Sequence, residues 1–242
     1  MEQASLIKSI YKRIILKITG EAFSGGEHPV NMHSTKKIAD EIGAVHKLGV
    51  QMGIVVGGGN IARGRDLLSI DRAPADYIGM SATVTNALFL QAMLEKRGIS
   101  ARTQTAIEMR EFAEPFIYRK AIRHMEKGRI VILACGTGHS YCSTDHAAML
   151  RAYELNAEAL LKGTKVDGLY TDDPRKKKSA KLISEISYQD AIKSNVKDIM
   201  DNAAFGLALD NPKKIPLHIF NIFEKNNLLK IIQGEKIGSK IF

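Results

Sequence analysis

Tryptophan is absent from this 242-residue chain, cysteine occurs twice, and aromatic residues make up only 6% of it. Each shortage narrows the function. Cys135 and Cys142 have no metal-type spacing, so the chain is read as carrying free thiols in a cytoplasmic setting. Basic nucleic-acid binders usually add aromatic platforms or a recognisable module. Neither is present, and nucleic acid is not expected as the main partner despite a formal net charge of +9. That charge points instead to small anionic ligands such as nucleotides. Long apolar runs are missing too: stretches such as "RIVILAC", residues 129–135, are of strand length, far short of the roughly 20 residues that a membrane span needs. No membrane partner is expected, and the N-terminal "MEQASLIKSIYKR" has no apolar stretch of signal-peptide length. With no repeat, low-complexity linker or composition break, residues 11–242 are read as one domain behind an N-terminal extension of residues 1–10.

What is there is an alternation. Apolar runs at 13–18, 50–56, 129–134, 157–161 and 217–221 read as strands, and the segments between them have helical period. This order predicts an α/β fold with a largely parallel central sheet covered on both faces. Ser34 is expected to cap a helix bearing Ile38, Ile42 and Val45. A second helix is expected over 79–96, with Thr83, Thr85 and Asn86 as ordinary polar or interface positions, and covering helices near 118–125 and 188–192. The run "DDPRKKKSAK", 172–181, is read either as a solvated loop or as a mobile loop beside bound nucleotide.

Four strand ends collect residues suited to phosphates. In an open parallel sheet, ligands bind in the crevice beyond the carboxyl ends of the strands. The first run, "RIILKITGEAF", puts Lys17 at such an end, just before a Thr19-Gly20 turn. The second leads into "VVGGGN", where Gly57, Gly58 and Gly59 offer bare amides able to nest a phosphoryl group and Arg63 can add a charge-assisted fork. The third, "LACGTGHSYCSTDHAAMLRA", follows a Gly136-Thr137-Gly138 turn with Ser143, Thr144 and Asp145 where a helix begins. Singly these read as caps; as a cluster they offer hydroxyls and amides to a second phosphate. The fourth, "KGTKVDGLYTDDP", brings Thr164, Tyr170 and Asp173, a hydroxyl, an aromatic face and a carboxylate for a base and ribose, around an Asp167-Gly168 turn. No Walker-type glycine loop occurs. Gly57, Gly59 and Ala62 fit G-x-G-x-x-A, but they follow the second strand and lack the later acidic partner of a dinucleotide site.

In this order and spacing, "LKITGEAF", "VVGGGNIARG", "GTG" followed by "STD", "TKVDGLYTDDP", "MDNAAF" and "IFN" resemble the bacterial uridylate kinases of the amino-acid kinase superfamily, from about residue 11 to the end. The resemblance implies a three-layer α/β/α sandwich, a homohexamer, and transfer of the γ-phosphoryl group of ATP to UMP with Mg²⁺. It also implies GTP as activator and UTP as inhibitor, as in many members. Carried over motif by motif, it implies that Lys17, Ile18, Thr19, Gly20, Gly59 and Arg63 face the ATP phosphates, and Thr164, Tyr170 and Asp173 the ATP nucleoside. Gly58, Asp76, Thr137, Gly138, His139, Ser140, Tyr141, Cys142, Ser143 and Thr144 are assigned to UMP. Lys17, Arg63, Asp145 and Asp201 are assigned to catalysis, and no residue to a metal. Asp145 is expected to orient Lys17 rather than take a proton, while Asp201 either organises the site from outside it or starts a helix.

The sequence departs from the family pattern in the monophosphate loop, where "GTGHSYCSTD" stands in place of the common "GTGNPFFTTD". Thr19 stands where Ser is usual, and Asn202 where Leu is usual. The loop change bears on acceptor preference. Three alternatives remain open at this level. A same-fold kinase for a carboxylate or carbamate calls for a catalytic lysine pair. A non-catalytic nucleotide-binding storage or regulatory protein would not need Lys17, Arg63 and Asp145. Nucleic-acid binding would be a secondary activity.

Overall fold

Ile14, Ile15, Leu16 and Ile18 are fully buried and alternate between two separate apolar clusters, as in a strand covered on both faces. They form the centre of a sheet in the computed structural model, which describes residues 8–25, 27–172, 177, 179–193 and 200–242. The chain runs β1 (Arg13–Ile18), α1 (Met32–His46), β2 (Gln51–Val56), α2 (Arg72–Glu95), β3 (Ala101–Thr105), β4 (Glu114–Pro115), α3 (Tyr118–Glu126), β5 (Ile130–Ala134) and α4 (Thr144–Glu154). It continues through β6 (Ala159–Thr164), β7 (Leu169–Tyr170), β8 (Leu182–Ile183), β9 (Glu185–Ile186), α5 (Tyr188–Lys193), α6 (Asn202–Asp210), β10 (Leu217–Asn221), α7 (Asn227–Ile232) and β11 (Ser239–Ile241).

Among the described residues, nine strands form one sheet in the order β4-β3-β5-β2-β1-β6-β10-β11-β9, and only β10 with β11 pairs antiparallel. Ile38 and Ile42 of α1, Val84 and Leu90 of α2, and Leu228 and Ile231 of α7 pack with Ile14, Leu16 and Ile18 on one face. Ala121 of α3, Met149 of α4, Tyr188 of α5 and Phe205 of α6 pack with Ile15, Val131 and Leu160 on the other. The expected three-layer α/β/α sandwich is the observed one. No helix among the described residues is long and apolar enough to cross a membrane.

Several boundaries differ from the sequence expectation, each for a local reason. The first helix is capped by Asn31, whose side chain accepts from the amides of His33 and Ser34, while the Ser34 hydroxyl donates to the Ser24 carbonyl. The second helix starts at Arg72 rather than Gly79. Pro74 lies in its first turn, where backbone amides have no helical partner to lose. The strand expected at 157–161 is β6 at Ala159–Thr164, because the Ala157 amide closes the turn after α4 on the Ala152 carbonyl. That shift brings Lys162 into the strand. No strand was expected at β3, "ARTQT", whose Thr103, Gln104 and Thr105 are polar yet buried.

Candidate active site

Lys17 of β1 and Lys162 of β6 are direct register partners on adjacent parallel strands, so both side chains leave the same face of the sheet. On that face lies the N-terminus of α4, where Ser143 is the cap, its Oγ accepting from the Asp145 and His146 amides at 3.1 Å. Asp145, the second helical residue, enters between the lysines. Its Oδ1 is 2.9 Å from Lys17 Nζ and its Oδ2 is 2.8 Å from Lys162 Nζ. Burial alone would raise the Asp145 carboxyl, but the charges and hydrogen bonds of both lysines pull it down to about 2. Burial lowers Lys162, the Lys17 charge lowers it further, and Asp145 and Asp201 oppose both; the ammonium ends at about 8. Asp145 is thus an anion paired with two cations, Lys17 and Lys162, the second of which the sequence reading did not single out.

The lysine pair required of a carboxylate or carbamate kinase is therefore present, and it does not by itself separate the acceptors. A signal for Lys162 was available: "ILKIT" and "LLKGT" repeat an aliphatic pair, Lys and Thr at the same spacing, and the repeat falls in register.

The glycine turns have a nearer cause than phosphate. The Gly57 amide donates to the Ile18 carbonyl at 2.8 Å. A Cβ on Gly20 would stand 2.5 Å from the Gly59 nitrogen, one on Gly57 2.7 Å from the Gly20 nitrogen, and one on Gly58 2.8 Å from the Gly79 oxygen. Backbone meets backbone at each, which leaves no room for a side chain. Two buried polar side chains of α2 fasten these turns. Asn86 Nδ2 donates to the Gly57 carbonyl at 2.7 Å, and Thr83 Oγ1 accepts from the amide of Cys135, a residue held at φ 60°. Both were expected as ordinary polar or interface positions; they are buried polar residues bonded to backbone.

Around the array, the assigned residues fall into distinct situations. Arg63 pairs with Glu21 directly over Gly59, and Asp66 is 3.7 Å away. Ile18 buries its side chain in the core, and the Thr19 amide reaches the Gly163 carbonyl at 3.4 Å. The Thr164 hydroxyl is occupied locally, accepting from the Val166 amide at 3.0 Å, and Tyr170 Oη donates to Asp167 at 3.3 Å. Asp173 lies outside the described residues. Asp201 is the cap of α6, with Oδ1 accepting from the Ala204 amide at 2.7 Å, and its other oxygen accepts from the Ser143 hydroxyl. Asp201 thus starts a helix, and it also meets Ser143 beside Asp145 and favours the charged form of Lys162; Ser143 spends its hydroxyl on helix ends.

Most of the residues that the sequence reading assigns to the acceptor come from α2 and the loop before α4. The Tyr141 amide donates to Asp76 Oδ2 at 2.7 Å, and the His139 amide to the Thr137 hydroxyl at 3.3 Å. Gly138 bends at φ 83° against Ala106, and Gly58 rests on Gly79 and Thr83 of α2. His139 and Cys142 are exposed, Ser140 and Thr144 half-buried. Both cysteines are free thiols, Cys135 being buried.

Known proteins resemble this chain in sequence and in fold. The amino acid kinase family model matches residues 12–221. The uridylate kinase of Limosilactobacillus reuteri is 50% identical over 235 residues, covering 96% of this chain and 97% of that protein. The chloroplastic uridylate kinase PUMPKIN of Arabidopsis thaliana is 47% identical over 235 residues, covering 96% of this chain and 68% of that protein. Among solved structures, the UMP kinase from Bacillus anthracis superposes with a TM-score of 0.90 at 37% identity, covering 96% of each chain. With a family match across most of its length, this chain belongs to the amino acid kinase family.

Proposed function

We propose that the protein is a UMP kinase, moving the γ-phosphoryl group of ATP to UMP to give UDP and ADP. The observation that carries this is the buried Lys17–Asp145–Lys162 array at the strand ends, found in a chain about half identical to a uridylate kinase along nearly its whole length. A phosphate monoester has its second pKa near about 6, so the attacking oxygen of UMP is already largely ionised at neutral pH. No general base is required, and Asp145, down at about 2 between two ammonium groups, is not suited to be one. What the transfer does require is in-line positioning and neutralisation of charge on the moving group. Lys17 and Lys162 supply that charge from a dry, fixed site; Arg63 can exchange Glu21 for a phosphoryl oxygen above Gly59.

Mg²⁺ fits this donor set as a cation carried on ATP. Asp145 is engaged by the lysines and Asp201 by Ala204 and Ser143, so phosphate oxygens and water would supply most of its ligands. Bound there, it would neutralise charge on the β- and γ-phosphates.

The deciding experiment is ADP release from Mg-ATP with UMP, CMP, dUMP, dTMP, AMP and GMP in turn. Turnover confined largely to UMP supports the assignment. Turnover of another acceptor would show that the 139–142 loop redirects the site, and nucleotide binding without any turnover would favour the storage or regulatory alternative. The array also sets a pH limit. Lys162 loses its proton near about 8, facing Lys17, Asp145 and Asp201, so kcat/KM for UMP is expected to fall above that pH. A profile that stays flat to about pH 10 would remove the Lys162 ammonium from the reaction.

The homohexamer is part of the same proposal, supported by the outward side of α2, which leaves Tyr77, Ile78 and Phe89 exposed. Light scattering that gives a monomer would overturn it. GTP activation and UTP inhibition are tested by adding each to the turnover assay. A cytoplasmic location in pyrimidine nucleotide synthesis is proposed with them, and cell fractionation checks it.

A further inference from the structure

The loop that departs from the family pattern is held by an unusual contact. Tyr141 sits at φ 64°, a left-handed conformation that is costly for an aromatic residue and persists only where its surroundings impose it. Three contacts do so. Its amide donates to Asp76 Oδ2 at 2.7 Å, its ring lies 5.5 Å from the Arg72 guanidinium carbon, and Arg72 Nε donates to Asp76 Oδ1 and Oδ2 at 2.9 and 2.8 Å. Arg72 and Asp76 are one turn apart on α2, whereas Tyr141 belongs to the loop before α4. The contact therefore joins the two walls assigned to the acceptor. Asp76 is the shared element: its side chain is only 14% exposed, and its Oδ1 lies 2.8 Å from where a Gly64 Cβ would be.

We propose that Arg72 and Tyr141 form a clasp on Asp76 that sets acceptor affinity and selectivity, with Arg72 as a positioning residue. This rests on the assignment of Asp76 and the 137–144 loop to the acceptor. A carboxylate offers about four lone-pair directions, and the clasp takes two on Oδ2 and one on Oδ1. Asp76 is left with one direction for a donor on the acceptor, at a position fixed by two partners. The aromatic ring and the planar guanidinium hold the loop at one distance from α2. Selectivity thus follows from a fixed gap and a single open acceptor position.

The test is a kinetic cycle on the full chain. Arg72 is half exposed, so Arg72→Met is expected to fold. It should raise the KM for UMP about tenfold and reduce the preference for UMP over CMP and dUMP by a similar factor, with the KM for ATP unchanged within about twofold. Tyr141→Gly keeps the amide, suits the positive φ and removes the ring, and should act in the same direction. The double variant should be no worse than about the poorer single one, because both break one clasp. Arg72→Lys, which keeps a donor and charge but loses the planar face, should recover part of the UMP affinity and little of the selectivity. Additive effects, equal rises in both KM values, or unchanged selectivity in Arg72→Met would overturn the clasp. Asp76→Asn separates the two levels. If it leaves the UMP KM unchanged, the acceptor assignment itself fails; if it raises that KM while Arg72→Met does not, only the clasp fails.

Discussion

Replacing Lys17 by methionine is expected to lower kcat for UMP phosphorylation by roughly a thousandfold or more in a protein that still folds. The magnitude follows from the two classes of group that Lys17 resembles. Loss of one preorganised donor to developing charge costs about a hundred- to a thousandfold, and loss of a cation on a transferring phosphoryl group about a thousandfold or more. Folding should survive because methionine keeps the buried aliphatic stem, and Asp145 retains Lys162 at 2.8 Å. The substitution even removes a like charge, since Lys17 is one of the groups that depress Lys162. Two readouts distinguish lost chemistry from lost structure. The melting temperature should stay near that of the unsubstituted protein, and any residual activity should keep its alkaline limb at higher pH. Activity within about tenfold of the unsubstituted enzyme would remove Lys17 from the reaction.

The central strands were legible because a parallel strand buried on both faces must be a continuous apolar run, and β1, β2, β5 and β10 are such runs. Strand β3 was not legible. Its Thr103, Gln104 and Thr105 are buried by neighbours that are remote in sequence, and only tertiary pairing with β5 makes "ARTQT" a strand. The same division holds in the site. Lys17, Asp145 and the glycine turns announce themselves by type and by position at strand ends. Lys162 lies in a strand whose end was read three residues too short, at 161 rather than Thr164, and its meaning comes from lying opposite Lys17, which is a fact of register. Arg72 and Glu21 were passed over, and Thr83 and Asn86 were read only as polar or interface positions, because each acts on another residue, so that no local pattern marks them.

The array is not explained by stability. Asp145 gains from its partners, which hold its carboxyl down at about 2, while burial beside Lys17 brings Lys162 down to about 8. The two linkage contributions oppose each other. A buried ion pair of this kind is weak evidence for stability, and strongly shifted groups in a crevice are characteristic of chemistry. Asp145 is what makes the charges tolerable: its carboxylate favours the charged form of Lys162, which keeps its proton at neutral pH beside Lys17.

Removing that carboxylate should therefore damage stability and turnover together. Asp145→Ala is expected to destabilise the protein by about 3–5 kcal/mol, the usual result of breaking a buried pair, and to reduce kcat to near background. Without Asp145 the lysines face each other as like charges, with Asp201 still favouring the charged form of Lys162. The cheapest relief is loss of the Lys162 proton, so its folded pKa should drop from about 8 toward neutrality. The sign of the pH effect then follows. Over the interval between this lowered folded value and the ordinary lysine value, the unfolded chain binds more protons, and stability rises with pH. In the unsubstituted protein that interval opens only near about 8; in the variant it should open closer to neutral pH. On the acid side the sign is the same, but the effect belongs to the other protein: the unsubstituted protein holds the Asp145 contribution above the ordinary carboxylate pKa and loses it as pH falls toward about 2, a loss the variant cannot show. Urea unfolding of both proteins across pH measures this directly. Parallel stability curves would mean that Asp145 does not hold the two charges in place.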